Sequence, residues 1–201
     1  MSSIAVKIYF VGDFLIYIKY AVCDGDDISR HQAAEAARDY ILSEVFNVQN
    51  AEKLICKTDK GKPYIKGSDF DFSLAHTDTV AIAAVCGNGR KAEGLIRIDE
   101  DVSKIGIDIE AEERRLDSKS IKLISEKFFS EKELDYVKPG FCGESQRFLE
   151  IWTRKESIVK ATGEGLSAIH NADSFSDAVK YLKTKHLFIN NKKYIISVAG
   201  I

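Results

Sequence analysis

The pattern of apolar and polar positions predicts a two-stranded hairpin near each end of the chain. Residues 4–22 alternate and are rich in Ile, Val, Tyr and Phe, with Gly12-Asp13 at a turn position in the middle. Such alternation is typical of strands with one buried face. The second hairpin is predicted from residues 186–190 and 192–198, with its turn at Asn190-Asn191.

Helical periodicity separates the two hairpins. A helix is expected after Ser29, because Ser29 and Gln32 match a capping box, and its buried face would carry Ala33, Ala37, Ile41 and Val45. Three further helices are expected in the second half: residues 118–128, a short helix that Ser130 and Glu133 open and Pro139-Gly140 stops, and residues 145–162, ending at Gly163.

The remaining apolar segments predict strands. Residues 70–86, interrupted near residues 75–78, and residues 104–110 have this character. Residues 58–63 predict a loop, because they contain glycine and proline and almost no apolar side chain. Helices and strands are mixed and both hairpins are antiparallel, which favours an α+β fold over a doubly wound parallel sheet.

Composition and charge exclude several classes of protein. The 201 residues, 45% of them hydrophobic, can bury a sizeable core in one large domain or two small ones. With 31 acidic and 29 basic residues the net charge is −2, which argues against a disordered chain and against a nucleic-acid binder that relies on overall positive charge. Lys7, Asp13 and Lys19 interrupt the apolar N-terminal stretch, so we expect neither a membrane span nor a signal segment.

Cysteine and histidine spacing gives no sign of a zinc site. The four histidines are scattered, and the cysteines form no CxxC pair. We therefore expect buried, reduced cysteines in a cytoplasmic protein. The cysteines are Cys23, Cys56, Cys86 and Cys142.

A pair of carboxylates on the strand predicted at residues 104–110 is the first candidate site. Because alternate side chains of a strand face opposite ways, Gly106, Asp108 and Glu110 share one face and the isoleucines between them face a core. The two carboxylates lie roughly 6.5–7 Å apart along the strand and can lean toward one cation. The competing interpretation is a half-buried strand with a hydrated polar face, since a DxE pair is common.

The helix predicted at residues 145–162 carries the second candidate site. Trp152, Glu156 and Lys160 are four residues apart and lie in one row along the helix. By itself, Glu156 with Lys160 is equally well an exposed ion pair worth about 0.2–0.5 kcal/mol. Trp152 is interpreted as a core aromatic residue.

Taken together, these segments resemble a known family. GIDIE, ending at Glu110, followed by WTRKESIVKATGEGL, beginning at Trp152, is similar to the paired signature of the 4′-phosphopantetheinyl transferases. The segments FFSEKE, GKPY and FSLAHT resemble further motifs of that family, in the expected order, at residues 128–133, 61–64 and 72–77. Because about half of the chain precedes GIDIE, it resembles the longer, surfactin-synthetase-activating branch. That resemblance implies two similar α+β subdomains related by a pseudo-twofold, residues 1–103 and 104–201, in a monomer.

The resemblance implies a reaction and a metal site. Such enzymes transfer the phosphopantetheine arm of coenzyme A to a serine hydroxyl of an acyl or peptidyl carrier protein and release adenosine 3′,5′-bisphosphate. By resemblance, Asp108, Glu110 and Glu156 hold Mg²⁺, a cation that suits carboxylate and phosphate oxygens. Lys160 would meet the pyrophosphate. Either Glu156 or a metal-bound water would take the serine proton.

Other residues are assigned to coenzyme A by the same resemblance. Lys62 and His76 would line its site from the first half. Lys155 faces the same phosphates in one interpretation and is a snorkelling lysine in another. Arg30 or Arg38 would contact the 3′-phosphate.

The chain departs from the family pattern in two places. Ala75 replaces the usual serine, so one hydroxyl contact to coenzyme A is expected to be missing. Residues 87–103 form a longer and more charged connection than is usual. Glu133 is assigned to helix capping rather than to chemistry.

The carrier protein should be acidic around its serine, so a basic docking surface is expected after GIDIE. The basic residues there are Arg114, Arg115, Lys119, Lys122 and Lys127. Interleaved acidic residues are equally consistent with a solvated helix face.

Two other functions use the same residues. A phosphohydrolase would use the carboxylate cluster with water as the nucleophile. A catalytically silent relative would only bind coenzyme A or a carrier protein, and it would be expected to lack Asp108, Glu156 or Lys160.

Overall fold

The computed structural model describes residues 17–22, 27–44, 46–68, 70–77, 79–86 and 103–201. The first strand of the predicted N-terminal hairpin and the connection at residues 87–102 lie outside these ranges. The second strand of that hairpin is present as β1 (Tyr17–Val22).

The first half is built on a three-stranded antiparallel sheet. After β1 come helix α1 (Asp27–Glu44), a 3₁₀ turn (Ala51–Leu54), the hairpin of β2 (Ile55–Lys57) and β3 (Pro63–Ile65), and the hairpin of β4 (Asp71–Thr77) and β5 (Val80–Cys86). Strand β5 lies between β1 and β4. The interruption predicted near residues 75–78 is placed too early, because β4 continues through Thr77. The predicted loop at residues 58–63 connects β2 to β3 and ends one residue earlier, because Pro63 begins β3.

The second half is built on another sheet of three antiparallel strands. Its elements are β6 (Ile105–Ala111), α2 (Ser118–Phe128), α3 (Glu131–Val137), α4 (Glu144–Thr162), a 3₁₀ turn (Leu166–Asn171), β7 (Tyr181–Ile189) and β8 (Lys192–Gly200). Strand β8 lies between β6 and β7. Asn190 and Asn191 both have positive φ, as the tight turn of a hairpin requires.

The two sheets have the same strand order. In each half one strand is followed by helix and then by a hairpin, and the last strand of the hairpin occupies the centre of the sheet. This mixture of helices with antiparallel sheets confirms the predicted α+β class.

Three apolar layers hold the elements together. The inner faces of the two sheets share one core, which contains Ile82 of β5, Ile107 of β6 and Val198 of β8. Helix α1 covers the outer face of the first sheet through Ile41 and Leu42. Helix α4 covers the outer face of the second sheet, with α2 and α3 packed beside it. The space over the neighbouring edges of β4 and β6 is therefore bordered by both halves.

Capping signals give the helix ends in the second half. Asp117 caps α2, the capping box of Ser130 and Glu133 opens α3, and Gly163 ends α4 in the left-handed conformation, with φ 73°. The capping box of Ser130 and Glu133 and the glycine after α4 were predicted, whereas the cap at Asp117 was not. The predicted capping box at Ser29 is wrong, because α1 begins at Asp27.

Two further expectations need correction. Strand β7 begins at Tyr181 rather than at residue 186, because β8 offers backbone partners along its whole length. The expectation of buried cysteines holds for Cys86, but Cys56 is half-buried and Cys142 is exposed, all three as free thiols.

Candidate active site

Strand β6 turns its two faces to different neighbours. One face is buried in the core between the sheets, as predicted, through Ile105, Ile107 and Ile109. The other face carries Gly106, Asp108 and Glu110 toward α4. Gly106 is required there, because a Cβ at this position would lie 1.8 Å from the carbonyl oxygen of Ser157. The close approach of α4 brings its charged side chains next to the carboxylates of the strand.

An ammonium group joins the strand to the helix. Lys160 Nζ donates to Asp108 Oδ1 at 2.6 Å and lies 3.7 Å from Glu156 Oε2. Asp108 is buried, whereas Glu156 and Lys160 are half-buried and remain open to solvent. The two sequence motifs, far apart along the chain, therefore meet through these three side chains.

Crowding of carboxylates alters their affinity for protons. Burial and the neighbouring charges of Asp108 and Glu110 raise the pKa of Glu156 to about 7, although Lys160 opposes the shift. Burial also raises the pKa of Asp108 and that of Glu110. Burial alone would lower the pKa of Lys160, but the carboxylates of Asp108 and Glu156 raise it. The site is therefore acidic, with Lys160 held as a cation.

Glu110 is paired with an arginine from the loop that follows β6. Arg114 Nη1 lies 2.5 Å from Glu110 Oε1, four residues along the chain, and its side chain is exposed. Within the described ranges, no three carboxylate, histidine or cysteine side chains converge in a metal-binding arrangement. Asp108, Glu110 and Glu156 are thus brought to one area, where their counterions are Lys160 and Arg114.

A cleft of about 410 Å³ lies beside this cluster, at the junction of the two halves. The loop between β2 and β3, the residue before β6 and the end of α4 line it, through residues that include Lys60, Lys62, Lys104 and Gly163. None of the three predicted metal-binding carboxylates lines the cleft itself. Helix α4 contributes to both the cleft and the cluster, and Lys62 lies at the cleft.

His76 lies on the outer side of the first sheet, toward α1. Its ring is 6.4 Å from the ring of His31, in an edge-to-face arrangement. Arg38 is buried, 5.1 Å above the ring of Phe72 and 2.8 Å from Asp39 Oδ1, so the interpretation that Arg38 contacts a phosphate is corrected. Arg30 is half-buried on the same helix and stays a candidate.

The structure corrects the assignment of Lys155 to coenzyme A. The side chain is 1% exposed, and its ammonium donates to Glu133 Oε2 at 2.9 Å and to the carbonyl oxygen of Ala172. It therefore points away from the cleft, between α3 and the segment after the second 3₁₀ turn. The other oxygen of Glu133 accepts from the Ser174 amide, so Glu133 combines helix capping with this buried ion pair.

The basic residues after GIDIE do not form one uninterrupted patch. Arg114 pairs with Glu110, and Lys122 lies 3.8 Å from Glu126 on the exposed side of α2. Lys119 and Lys127 are exposed on the same helix. Basic and acidic side chains alternate on this surface, as the second interpretation of the sequence had it.

The contacts of three residues at the site were not predicted from the sequence. Arg114 was assigned to a docking surface, and its pairing with Glu110 could have been found from their spacing of four residues. Asp71 and Ser73, on β4, hold the edge of β6, because their side-chain oxygens accept hydrogen bonds from its backbone amides. No local pattern announces such contacts, because they depend on how the two sheets meet.

Comparison with known proteins agrees with the geometry. Residues 104–198 match the model of the 4′-phosphopantetheinyl transferase superfamily. This range contains β6 and α4, and with them Asp108, Glu110, Glu156 and Lys160. Among the described helices, none is both long and apolar enough to cross a bilayer.

Three curated relatives carry the same family name. The chain is 32% identical to 4′-phosphopantetheinyl transferase gsp of Aneurinibacillus migulanus, over 64% of this chain and 46% of that protein. It is 29% identical to psf-1 of Bacillus pumilus, over 70% of this chain and 53% of the relative, and 30% identical to ffp of Bacillus subtilis, over 68% and 52%. The chain spans about half the length of these relatives. In agreement with the motifs of the chain, residues 104–198 belong to the 4′-phosphopantetheinyl transferase superfamily.

Proposed function

We propose that this protein transfers the 4′-phosphopantetheine arm of coenzyme A to a serine hydroxyl of an acyl or peptidyl carrier protein, and releases adenosine 3′,5′-bisphosphate. The observation that carries the proposal is the meeting of Asp108 with Glu156 and Lys160 next to the cleft at the junction of the halves. Breaking a pyrophosphate requires negative charge to be neutralised and the reacting oxygens to be held in line. A carboxylate base and a fixed ammonium contribute to both the neutralisation of charge and the placement of the reacting oxygens.

The chemistry of the three carboxylates suits Mg²⁺, although in this structure they do not converge in a metal-binding arrangement within the described ranges. Three carboxylates with raised pKa values share one area, and two cations offset only part of their charge. Hard oxygen ligands of this kind suit Mg²⁺, and Asp108, Glu110 and Glu156 would hold it. When bound, Mg²⁺ would supply further positive charge to the pyrophosphate.

The side chains of the protein perform the proton transfer and the charge stabilisation. A carboxylate with a pKa of about 7 can accept the serine proton near neutral pH, so Glu156 takes the proton on Oε as the serine oxygen attacks the phosphorus attached to pantetheine. The bond from that phosphorus to the bridging oxygen breaks, and adenosine 3′,5′-bisphosphate leaves with the electron pair. The Lys160 ammonium, adjacent to Glu156, stabilises the charge that develops.

The two halves divide the substrates in this proposal. Coenzyme A lies along the cleft, with Lys62 on the side of residues 1–103 and Lys160 on the other. His76 does not line the cleft, and its contact with coenzyme A rests on the family resemblance alone. The carrier protein docks on residues 104–201, where exposed lysines of α2 are available. The matching strand order of the two sheets supports a pseudo-twofold relation between these halves. We further propose that the enzyme is a monomer of the cytoplasm.

A mass measurement tests the proposal. The protein is incubated with coenzyme A, Mg²⁺ and each of several apo carrier proteins, and the carriers are then weighed. We expect a gain of one phosphopantetheine group, abolished by EDTA. No gain on any carrier would refute the proposal, and release of inorganic phosphate without a carrier would favour the phosphohydrolase instead.

A further inference from the structure

The edges of the two sheets are joined by side chains rather than by a backbone ladder. Strand β4 stands at the edge of the described strands of the first sheet, and β6 stands at the edge of the second. The Ile105 amide donates to Asp71 Oδ2 at 2.7 Å, and the Ile107 amide donates to Ser73 Oγ at 3.0 Å. Two side chains of β4 thus occupy successive free amides of the strand that carries Asp108.

The same carboxylate of Asp71 also binds Lys62. Lys62 Nζ donates to Asp71 Oδ2 at 2.6 Å, to the carbonyl oxygen of Ile105 at 3.3 Å and to that of Ala161 at 3.1 Å. An ammonium group has three protons, and here each of them has an acceptor. The side chains of Lys62 and Asp71 are each only 12% exposed, which protects the pair from solvent screening.

A tight turn presents Lys62 to these acceptors. The Lys62 amide donates to Thr58 Oγ1 at 3.0 Å, and the Gly61 amide donates to the carbonyl oxygen of Thr58 at 2.8 Å. Gly61 has φ +87°, a conformation that favours glycine. The loop therefore fixes the direction in which the lysine leaves the backbone.

The bond to Ala161 places a cation at the end of α4. The last four carbonyl groups of a helix lack intrahelical partners, and a positive charge there is favourable. Gly163 leaves room for the lysine stem, since a Cβ at that position would come within 3.1 Å of Lys62 Cδ. One ammonium thus contacts β4, β6 and α4 together.

We propose that Lys62, Asp71 and Ser73 are positioning residues, and that the Lys62–Asp71 ion pair fixes β6 and the end of α4 against the first half. Asp108 is carried by β6 and Lys160 by α4, so the pair sets how the acidic cluster is placed relative to the cleft. The consequence of this ion pair for catalysis rests on the proposed transferase activity. The attachment of β6 and α4 to the first half, called the fastening below, does not. Lys62 then acts on coenzyme A indirectly, through the shape of the cleft, rather than as a phosphate ligand.

The fastening is confined to one end of the seam between β4 and β6. Asp71 and Ser73 alternate with core residues of β4, and the next position on that face is Ala75, which has no hydroxyl group to offer. The contacts of Asp71 and Ser73 therefore reach β6 at the amides of Ile105 and Ile107, on the N-terminal side of Asp108.

Amide hydrogen exchange tests the fastening without any assay of activity. In the Ser73→Ala protein we expect the Ile107 amide to exchange about fivefold to tenfold faster, the effect of losing one hydrogen bond. Asp71→Ala should do the same to the Ile105 amide, while amides at the centre of β8 keep their rates. Unchanged exchange at Ile105 and Ile107 in both variants would overturn the proposal.

Lysine variants separate a positioning role from a ligand role. Lys62→Met should lower the urea midpoint and the kcat of transfer more than it raises the KM for coenzyme A. Lys62→Arg should not rescue kcat, because a planar guanidinium cannot reach three acceptors arranged around an ammonium, whereas it would serve well as a phosphate ligand. Lys66→Met, an exposed change on the same hairpin, is the matched control and should leave both midpoint and kcat unchanged.

A double-mutant cycle completes the test. We expect the midpoint losses of Lys62→Met and Asp71→Asn to be non-additive, because each removes the same ion pair. The proposal would be overturned by additive losses. A Lys62→Met protein with a wild-type midpoint and only a raised KM for coenzyme A would overturn it as well, and would make Lys62 a phosphate ligand. If the wild-type protein transfers nothing, the exchange rates and the midpoint cycle still decide the fastening.

Discussion

Helix α4 contributes a lysine to each of two lysine–glutamate groupings, which differ in how many of their charged atoms have hydrogen-bond partners. On one side Lys155 and Glu133 are almost fully buried, and both oxygens of Glu133 accept hydrogen bonds from backbone amides or the lysine. On the other side Lys160 is 29% exposed and contacts Asp108 and Glu156, while a further carboxylate, Glu110, depends on an exposed arginine. The first grouping has no capacity left for a ligand.

The difference favours a structural role for Lys155 with Glu133 and a chemical role for Lys160 with its carboxylates. A closed buried pair contributes to structure, because any ligand would have to break it at the cost of an unpaired charge. Three crowded carboxylates facing two cations are short of positive charge and can accept a metal ion or a proton. Experiments that weaken this contrast would undermine both assignments.

The largest effect is expected from Glu156→Gln. The amide can neither accept the serine proton nor contribute charge to a metal site, so transfer should fall by about 10³-fold or more, while circular dichroism and the melting temperature stay near wild type. Carrier mass gain over time measures the rate. Glu131→Gln, the same change at an exposed position of α3, is the control. Normal turnover of the Glu156→Gln protein would remove Glu156 from both roles.

Substitutions in the buried pair of Lys155 and Glu133 should instead lower the stability of the protein. Lys155→Met leaves the Glu133 carboxylate buried without its cation, so the free energy of unfolding should fall by about 3–5 kcal/mol. Urea denaturation measures the loss, and the exposed change Lys132→Met provides the baseline.

A second substitution sharpens the result for Lys155. Adding Glu133→Gln to Lys155→Met removes the unpaired charge and keeps one acceptor oxygen, so part of the stability should return. If Lys155→Met instead left the protein stable and raised the KM for coenzyme A, Lys155 would belong to the binding site after all.

Lys160→Ala should have an intermediate effect. The variant lacks the ammonium that neutralises the leaving pyrophosphate oxygen in the proposed reaction, and we expect transfer to slow by about 10²-fold. Lys160→Arg should recover part of the rate, because the charge returns. Lys185→Ala, on the exposed side of β7, is the control, and kinetics of Lys160→Ala equal to those of this control would reduce Lys160 to a surface ion pair.

Local signals predicted the elements that surround the site. The capping box of α3, Gly163 after α4 and the alternation of β6 are local features, and the structure follows them. Strand β7 was predicted too short, because its first residues are mixed in polarity and become a strand only by pairing with β8.

Side-chain partners were harder to predict than side-chain faces. Lys155 and Glu156 are adjacent in the chain but point in directions roughly 100° apart on a helix, and the sequence does not say which neighbour each direction meets. The motif spacing identified Glu156 and Lys160 as one row but gave no warning that Lys155 ends in a buried ion pair. The bond from Lys62 to Ala161 likewise joins positions that only the assembled fold brings together.

The smallest expected effect is a pH dependence of stability, and it arises from the carboxylates around Lys160 alone. Because the pKa of Glu156 in the folded protein is raised to about 7, the contribution of this group to stability is present at low pH and is lost as pH rises through about 7. The burial-raised pKa values of Asp108 and Glu110 act in the same direction. Mg²⁺ must compete with the retained protons, so its stabilising effect should be small in acid and grow as the pH rises.

Melting temperatures with and without Mg²⁺, from about pH 5.5 to pH 8.5, measure this effect. We expect the difference to increase through about pH 7 in the wild-type protein and in Lys132→Met, but to be much smaller at every pH in Glu156→Gln, which lacks the titrating carboxylate. A magnesium effect equal at all pH values in the wild-type protein would mean that the crowded carboxylates do not bind the metal. The carboxylates around Lys160 would then bind no ligand, like the buried pair of Lys155 and Glu133.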